Sequence, residues 1–206
     1  NIQLSRQTGM SLFETLCTRD LGEVYLSLGQ TAQAEPYIRR ALQMYVLEFG
    51  ELGARTVNCE VQLARCKWYA GDVPAAAELF AKVSAKQREA EASGNTDAVL
   101  IASDKIYLDQ VALALGGGSP AEYDALIARA KELSMAPQDV VELIEWKGMS
   151  AVRAGRVDEG LTSLREALEM AEQSAGLVAD RIRNQIAVAH AVMAPAAGSA
   201  TPVRAG

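Results

Sequence analysis

The stretch from Thr15 to Glu48, TLCTRDLGEVYLSLGQTAQAEPYIRRALQMYVLE, decides the fold. It reads as two amphipathic helices joined at a glycine. Gly22 and Ala34 are small residues placed where two helices can approach closely, and Tyr25 and Ile38 are large ones placed to fill the space between them. Gly29 stands just past the first helical run, where a residue that tolerates positive φ ends a helix, and Thr31 is positioned to cap the second helix. Pro36 falls inside that second helix and is expected to distort its first turn.

Working outward, the same unit returns. Glycines 29, 71, 116 and 155 each close a run of the form Leu/Trp/Val-x-x-Gly and lie 42, 45 and 39 residues apart, an average of 42. A helical hairpin re-used at a steady pitch stacks into a solenoid, and the product of a solenoid is a surface. The reading therefore turns on binding before it turns on chemistry.

Leu21-Gly22, Tyr25, Gly29, Ala34, Ile38 and Ala41 occupy the marker positions of the tetratricopeptide repeat, and the stretch resembles that family. Further units are expected near residues 57–93, 97–134 and 139–175, after the first at 15–48, with a last helix at 177–193. Leu63-Ala64, Gly71, Ala76 and Phe80 carry the second unit, with Asp72 as cap and Pro74 tolerated in the first turn. Gly148, Ala151, Gly155, Gly160, Leu164 and Ala167-Leu168 carry the fourth. The third fits only if its turn is about two residues longer, which Gly116-Gly117-Gly118 supplies before a capping box at Ser119-Pro120-Ala121-Glu122. The resemblance implies an all-α, right-handed superhelical solenoid of antiparallel helix pairs, about four repeats plus a terminal capping helix, over residues 1–193.

A standard unit has about 34 residues, so the extra length belongs between units. Gly9, Gly53, Gly94 and Gly176 are expected to end lengthened second helices. That length resembles the kinesin-light-chain-like subclass, although Leu52-Gly53-Ala54-Arg55 stands where the subclass has an Asp-His-Pro turn. The opening, NIQLSRQTGMSLFETL, reads as the tail of a second helix whose first helix is missing, so the chain is expected to be a segment of a longer protein. An uncovered apolar face around Leu12, Phe13 and Leu16 follows from that reading. Residues 194–206, APAAGSATPVRAG, lack apolar periodicity and are expected to be a disordered tail or linker.

Composition narrows the function. With 20 basic against 26 acidic residues the chain has a net charge of −6, and no dense basic run appears, so neither nucleic acid nor a membrane surface is an expected partner. Arg39-Arg40 and Arg181 to Arg183 read as solvated edges. No apolar run approaches the roughly 18 residues that span a bilayer. Three cysteines without disulfide spacing suit a reducing compartment, and the cytoplasm is the expected location. A single histidine, His190, leaves no two-histidine zinc site and no imidazole pair for acid–base work. The triglycine lacks the Lys-Ser/Thr of a phosphate loop, and Glu142 with Glu145, or Asp158 with Glu159, read as ordinary helix-start and solvated carboxylates. No catalysis, cofactor or metal is expected.

The resemblance further implies a concave wall lined by first helices. Carried over, its positions are Leu16, Arg19, Glu23 and Leu26 in the first unit, and Asn58, Val61, Gln62, Arg65, Trp68 and Tyr69 in the second. Ser103, Ile106 and Gln110 follow in the third, then Glu142, Glu145, Met149 and Arg153 in the fourth. Arg65, Trp68 and Tyr69 are expected at the centre of contact, since such residues dominate binding energy elsewhere. The family's dicarboxylate clamp is not expected, because Glu23, Ser103 and Tyr107 replace its ligands. Three roles stand open: a protein- or peptide-binding scaffold of a larger regulatory protein, a peptide or ligand sensor hinged at the third unit, and a homo-oligomerisation module. A groove filled by the chain's own last helix favours the scaffold.

Overall fold

The computed structural model describes the backbone of residues 2–95, 99–174 and 178–193, with side chains from Leu12 onward except Ser103 and Met193. Among the described residues there are nine helices and no strand: α1 Ile2–Ser27, α2 Thr31–Phe49, α3 Ala54–Tyr69, α4 Val73–Ser93, α5 Ala102–Gly116, α6 Pro120–Glu132, α7 Pro137–Arg153, α8 Val157–Gln173 and α9 Ala179–Met193. Each packs on its neighbours in sequence, and the odd-numbered helices also touch in series, α1 on α3, α3 on α5, α5 on α7 and α7 on α9. The result is an all-α, tetratricopeptide-like solenoid in which odd helices share one inner face.

Local chemistry explains the boundaries. Gly29, Gly71 and Gly155 end α1, α3 and α7 with φ of 75°, 80° and 81°, values at which any side chain would be strained. In the third pair the left-handed position falls on Gly117, φ 70°, one residue after the expected Gly116, which is the last residue of α5. The longer turn then closes with the expected capping box, Ser119 Oγ accepting from Glu122 N and Glu122 accepting from Ser119 N. Asp72 caps α4 by accepting from Ala75 N at 3.2 Å.

Several expectations are corrected. Thr31 is the first residue of α2, not its cap; Gln30 holds the cap position without a side-chain bond. Helix α2 runs unbroken through Pro36. Gly94 ends α4 in the left-handed region, but Gly53 is an extended residue at the start of α3, and Gly50, φ 77°, ends α2 instead. Gly9 ends nothing: α1 continues through it as one helix, so the opening is no separate tail. Gly176 and residues 194–206 lie outside the described residues. Of the expected apolar face on α1, Leu12 packs against Ala41, Tyr45 and Cys59, whereas Phe13 is 69% exposed.

Packing follows from small residues at helix crossings. A Cβ on Gly22 would stand 2.7 Å from Ile38 Cγ1, so α1 and α2 reach their separation only with glycine there. The largest apolar cluster spans α5 to α9 and includes Ile106, Val141, Leu143, Leu164 and Ile182.

Candidate functional site

The inner face is built from side chains spaced three or four residues apart on the odd helices. Gln62, Arg65 and Tyr69 share a face of α3, and Glu142, Glu145 and Met149 share a face of α7. These faces meet. Arg65, 6% exposed, is paired through Nη2 with Glu142 and donates through Nη1 to Gln62, while Gln110 Nε2 donates to Glu142 at 3.4 Å. The guanidinium lies 4.3 Å above the Tyr107 ring, and Tyr107 donates its hydroxyl to Asp139 at 2.8 Å. Burial alone would push the Glu142 carboxyl up; Arg65 and Arg181 reverse this and hold it below its ordinary range.

Beside this pair the aromatic residues interlock. Trp68 of α3 stacks on Trp146 of α7 with centroids 5.2 Å apart and planes at 20°, and Trp146 meets Tyr69 edge-on. Trp146 Nε1 donates to the Tyr69 hydroxyl oxygen, and Arg153 covers the other side of Trp68 at 3.8 Å. Such stacked and cation-bearing contacts each contribute about 0.5–1.5 kcal/mol beyond area burial.

The last helix completes the closure. Arg181 of α9, 4% exposed, makes a two-pronged contact with Glu145, Nε to Oε1 at 3.0 Å and Nη2 to Oε2 at 2.5 Å. Its Nη1 donates to the carbonyls of Leu26 and Ser27 at 3.2 and 2.9 Å, at the C-terminal end of α1, where a cation suits the free carbonyls. Gly29 makes room for it: a Cβ there would lie 3.1 Å from Arg181 Cγ. The first and last described helices are thus joined by one guanidinium. Burial raises Glu145 to about 7, against the pull of Arg181 and the Tyr69 hydroxyl.

The expected lining residues therefore divide. Gln62, Arg65, Trp68, Gln110, Glu145 and Met149 are buried among one another, and Tyr69 is half-buried against Trp146 and Arg181. Arg19, Glu23 and Asn58 remain half-exposed. Two expectations fall. Arg181 is no solvated edge, although Arg39, Arg40 and Arg183 are; and Glu142 and Glu145 are buried ion-pair partners, because a matching arginine faces each across the solenoid. Sequence reasoning misses Trp146, the partner of Trp68; its place in the repeat after next is the only signal that points to it.

What stays open is a cleft between α1 and the α7–α9 end, about 510 Å³ in volume. Val24 of α1, Leu28 just past its end, and Ala171 and Val178 opposite form apolar walls; Asp20, Glu23 and Asp139 bring carboxylates. An inner recess shares Glu23, Ser27, Asp139 and Val178 with it and ends on Arg65 and Glu142. Arg65 Nε is itself closed to solvent and has no acceptor among the described residues. Glu23 is the least compensated carboxylate: Arg19 is 3.8 Å away, and burial pushes its pKa up.

Paired helices, glycine turns and a shared inner face define a helical-repeat solenoid. Residues 14–89 match the family described as Tetratricopeptide repeat. Neither the curated proteins nor the solved structures contain a match. Tetratricopeptide repeats generally mediate protein–protein interaction. Among the described residues no helix is long and apolar enough to cross a membrane.

Proposed function

We propose that the chain is a protein- or peptide-binding scaffold module of a larger regulatory or signalling protein, cytoplasmic and without catalysis of its own. The observation that supports it is the double lock of the inner face, Arg65 on Glu142 and Arg181 on Glu145, which ties α3 to α7 and α9 to both α7 and α1. A sensor needs a groove whose curvature yields to a ligand. Here, the residues that would move are held by buried ion pairs and stacked tryptophans, so the module presents a set shape.

In this reading the expected groove residues have two tasks. Arg65, Trp68, Tyr69, Gln110, Glu145 and Met149 hold the curvature, and Glu23, with Gln62 and Arg65 beneath it, fronts the opening that a partner enters. The test is affinity capture with quantitative proteomics, comparing the wild-type chain with a Val24→Lys variant, followed by reconstitution from purified components. A partner that the variant loses and that rebinds the purified wild type is expected. Identical captured sets overturn the reading. Light scattering across a concentration series on the same proteins covers the homo-oligomer alternative.

A further inference from the structure

We infer that the cleft between α1 and the α7–α9 end takes a cationic, partly apolar peptide segment, with a lysine or arginine side chain seated against Glu23. The inference deepens the scaffold reading and rests on it.

Two observations carry it. The inner recess contains the carboxylates of Glu23, Asp139 and Glu142 against the single guanidinium of Arg65, so its sign is negative even after the Arg65–Glu142 pair is counted. Glu142 is occupied by Arg65 and Gln110, and Asp139 by the Tyr107 hydroxyl and Ala136 N. Glu23 is left with one long contact to Arg19, which itself bonds Asp20 at 2.6 Å. A half-buried carboxylate in this state gains most from an incoming cation, because neither partner then needs full hydration.

The second is the wall chemistry, which a bare metal ion or a simple polyamine would leave uncovered. Val24 on α1 is 52% exposed and Leu28, just past the end of α1, is 36% exposed, and Ala171 and Val178 face the same cleft. Aliphatic side chains flanking the cation would cover them. An acidic peptide meets the wrong charge, and a fully polar one leaves these walls wet.

The experiment uses the full chain and two heptapeptides, acetylated and amidated, with sequences LKALKAL and LEALEAL, measured by calorimetry at low and high salt. Methyl chemical shifts of Val24, Leu28 and Val178 locate the binding. The lysine peptide is expected to bind, to weaken with salt, and to shift those methyls. Glu23→Gln should weaken it about tenfold, the scale of one charge-assisted contact. Glu23→Lys should reverse the preference towards the glutamate peptide, a result that a merely structural role for Glu23 does not produce. Circular dichroism and unfolding curves confirm that each variant is folded.

Equal binding of both peptides at these methyls overturns the cation preference and leaves the scaffold reading intact. Absence of saturable binding by either peptide up to about 1 mM, or shifts confined to other surfaces, removes the cleft as a peptide site. A concentration-dependent dimer of the wild type that Val24→Lys dissociates assigns the cleft to a second copy and overturns the proposal too.

Discussion

The fourth helix pair, α7 with α8, and the third, α5 with α6, are the same hairpin with different contacts. In the fourth, Gly148 and Gly160 oppose each other across the crossing: a Cβ on Gly160 would stand 2.7 Å from the Gly148 carbonyl oxygen and 2.5 Å from Val152 Cγ2. In the third, a Cβ on Gly116 or Gly117 would meet nothing within 4 Å, and these glycines serve the turn alone. One pair uses glycine for backbone approach and the other for turn length. Helix α7 then carries Glu142, Glu145 and Trp146, the residues that receive Arg65, Arg181 and Trp68, so the close-packed pair is also the hub of the inner face.

The comparison can be broken at the hub first. Arg181→Ala removes the guanidinium from Glu145 and from the end of α1, and breaking a buried pair costs about 3–5 kcal/mol. The low end is expected, since burial already holds the Glu145 carboxyl near 7 and a proton can replace the lost partner. Urea unfolding followed by tryptophan fluorescence measures it. The pair Arg181→Met with Glu145→Leu should recover much of the loss, because an apolar contact of similar volume needs no desolvation of charge.

Next in size is the glycine contrast itself. Gly160→Ala should destabilise by about 1–3 kcal/mol, the range for overpacking a crossing that cannot yield. Gly116→Ala, at the open end of α5, should instead stabilise by roughly 0.5–1 kcal/mol through the lower entropy of the unfolded chain and better helix propensity. Thermal melts of the two variants side by side decide the matter. If both shift the midpoint alike, the glycines of the two pairs do not differ in role.

The smallest effect separates the inner helices from the outer face of α1. Cys59 and Cys66 on α3 are buried, and burial pushes their thiols up to about 12 and about 11, while Cys17 on α1 is exposed. Thiolate is the reactive form, so a thiol-specific reagent at a pH of about 8 should label Cys17 alone in the native chain and all three after denaturation. Early labelling of Cys66 would show that α3 opens from its neighbours without global unfolding.

Much of the fold was legible because its signals are local. The turn glycines, the Asp72 cap and the Ser119–Glu122 box depend on residues within four positions of one another. Errors arose where two residues compete for one local role, as with Gly50 against Gly53, Gln30 against Thr31, and Gly117 against Gly116. At those points φ is decided by how far the next helix must travel to pack. At the candidate site the inner positions on α3 and α7 came from the resemblance to the repeat family, and helical spacing then puts Gln62, Arg65 and Tyr69 on one face. Sequence reasoning misread Arg181, which stands between Asp180 and Arg183 like a solvated charge and whose partner Glu145 is 36 positions away.

By itself, then, the sequence determined the helical hairpins and their pitch, because a 3.6-residue period and a glycine turn are properties of short segments. Only the tertiary structure decided that the inner face closes on itself. Arg181 meets the carbonyl of Ser27 across 154 positions, and Trp68 meets Trp146 two repeats away. Periodicity states which residues of a helix share a face; the curvature accumulated over four stacked pairs decides what that face meets, and that sum is written in no single repeat.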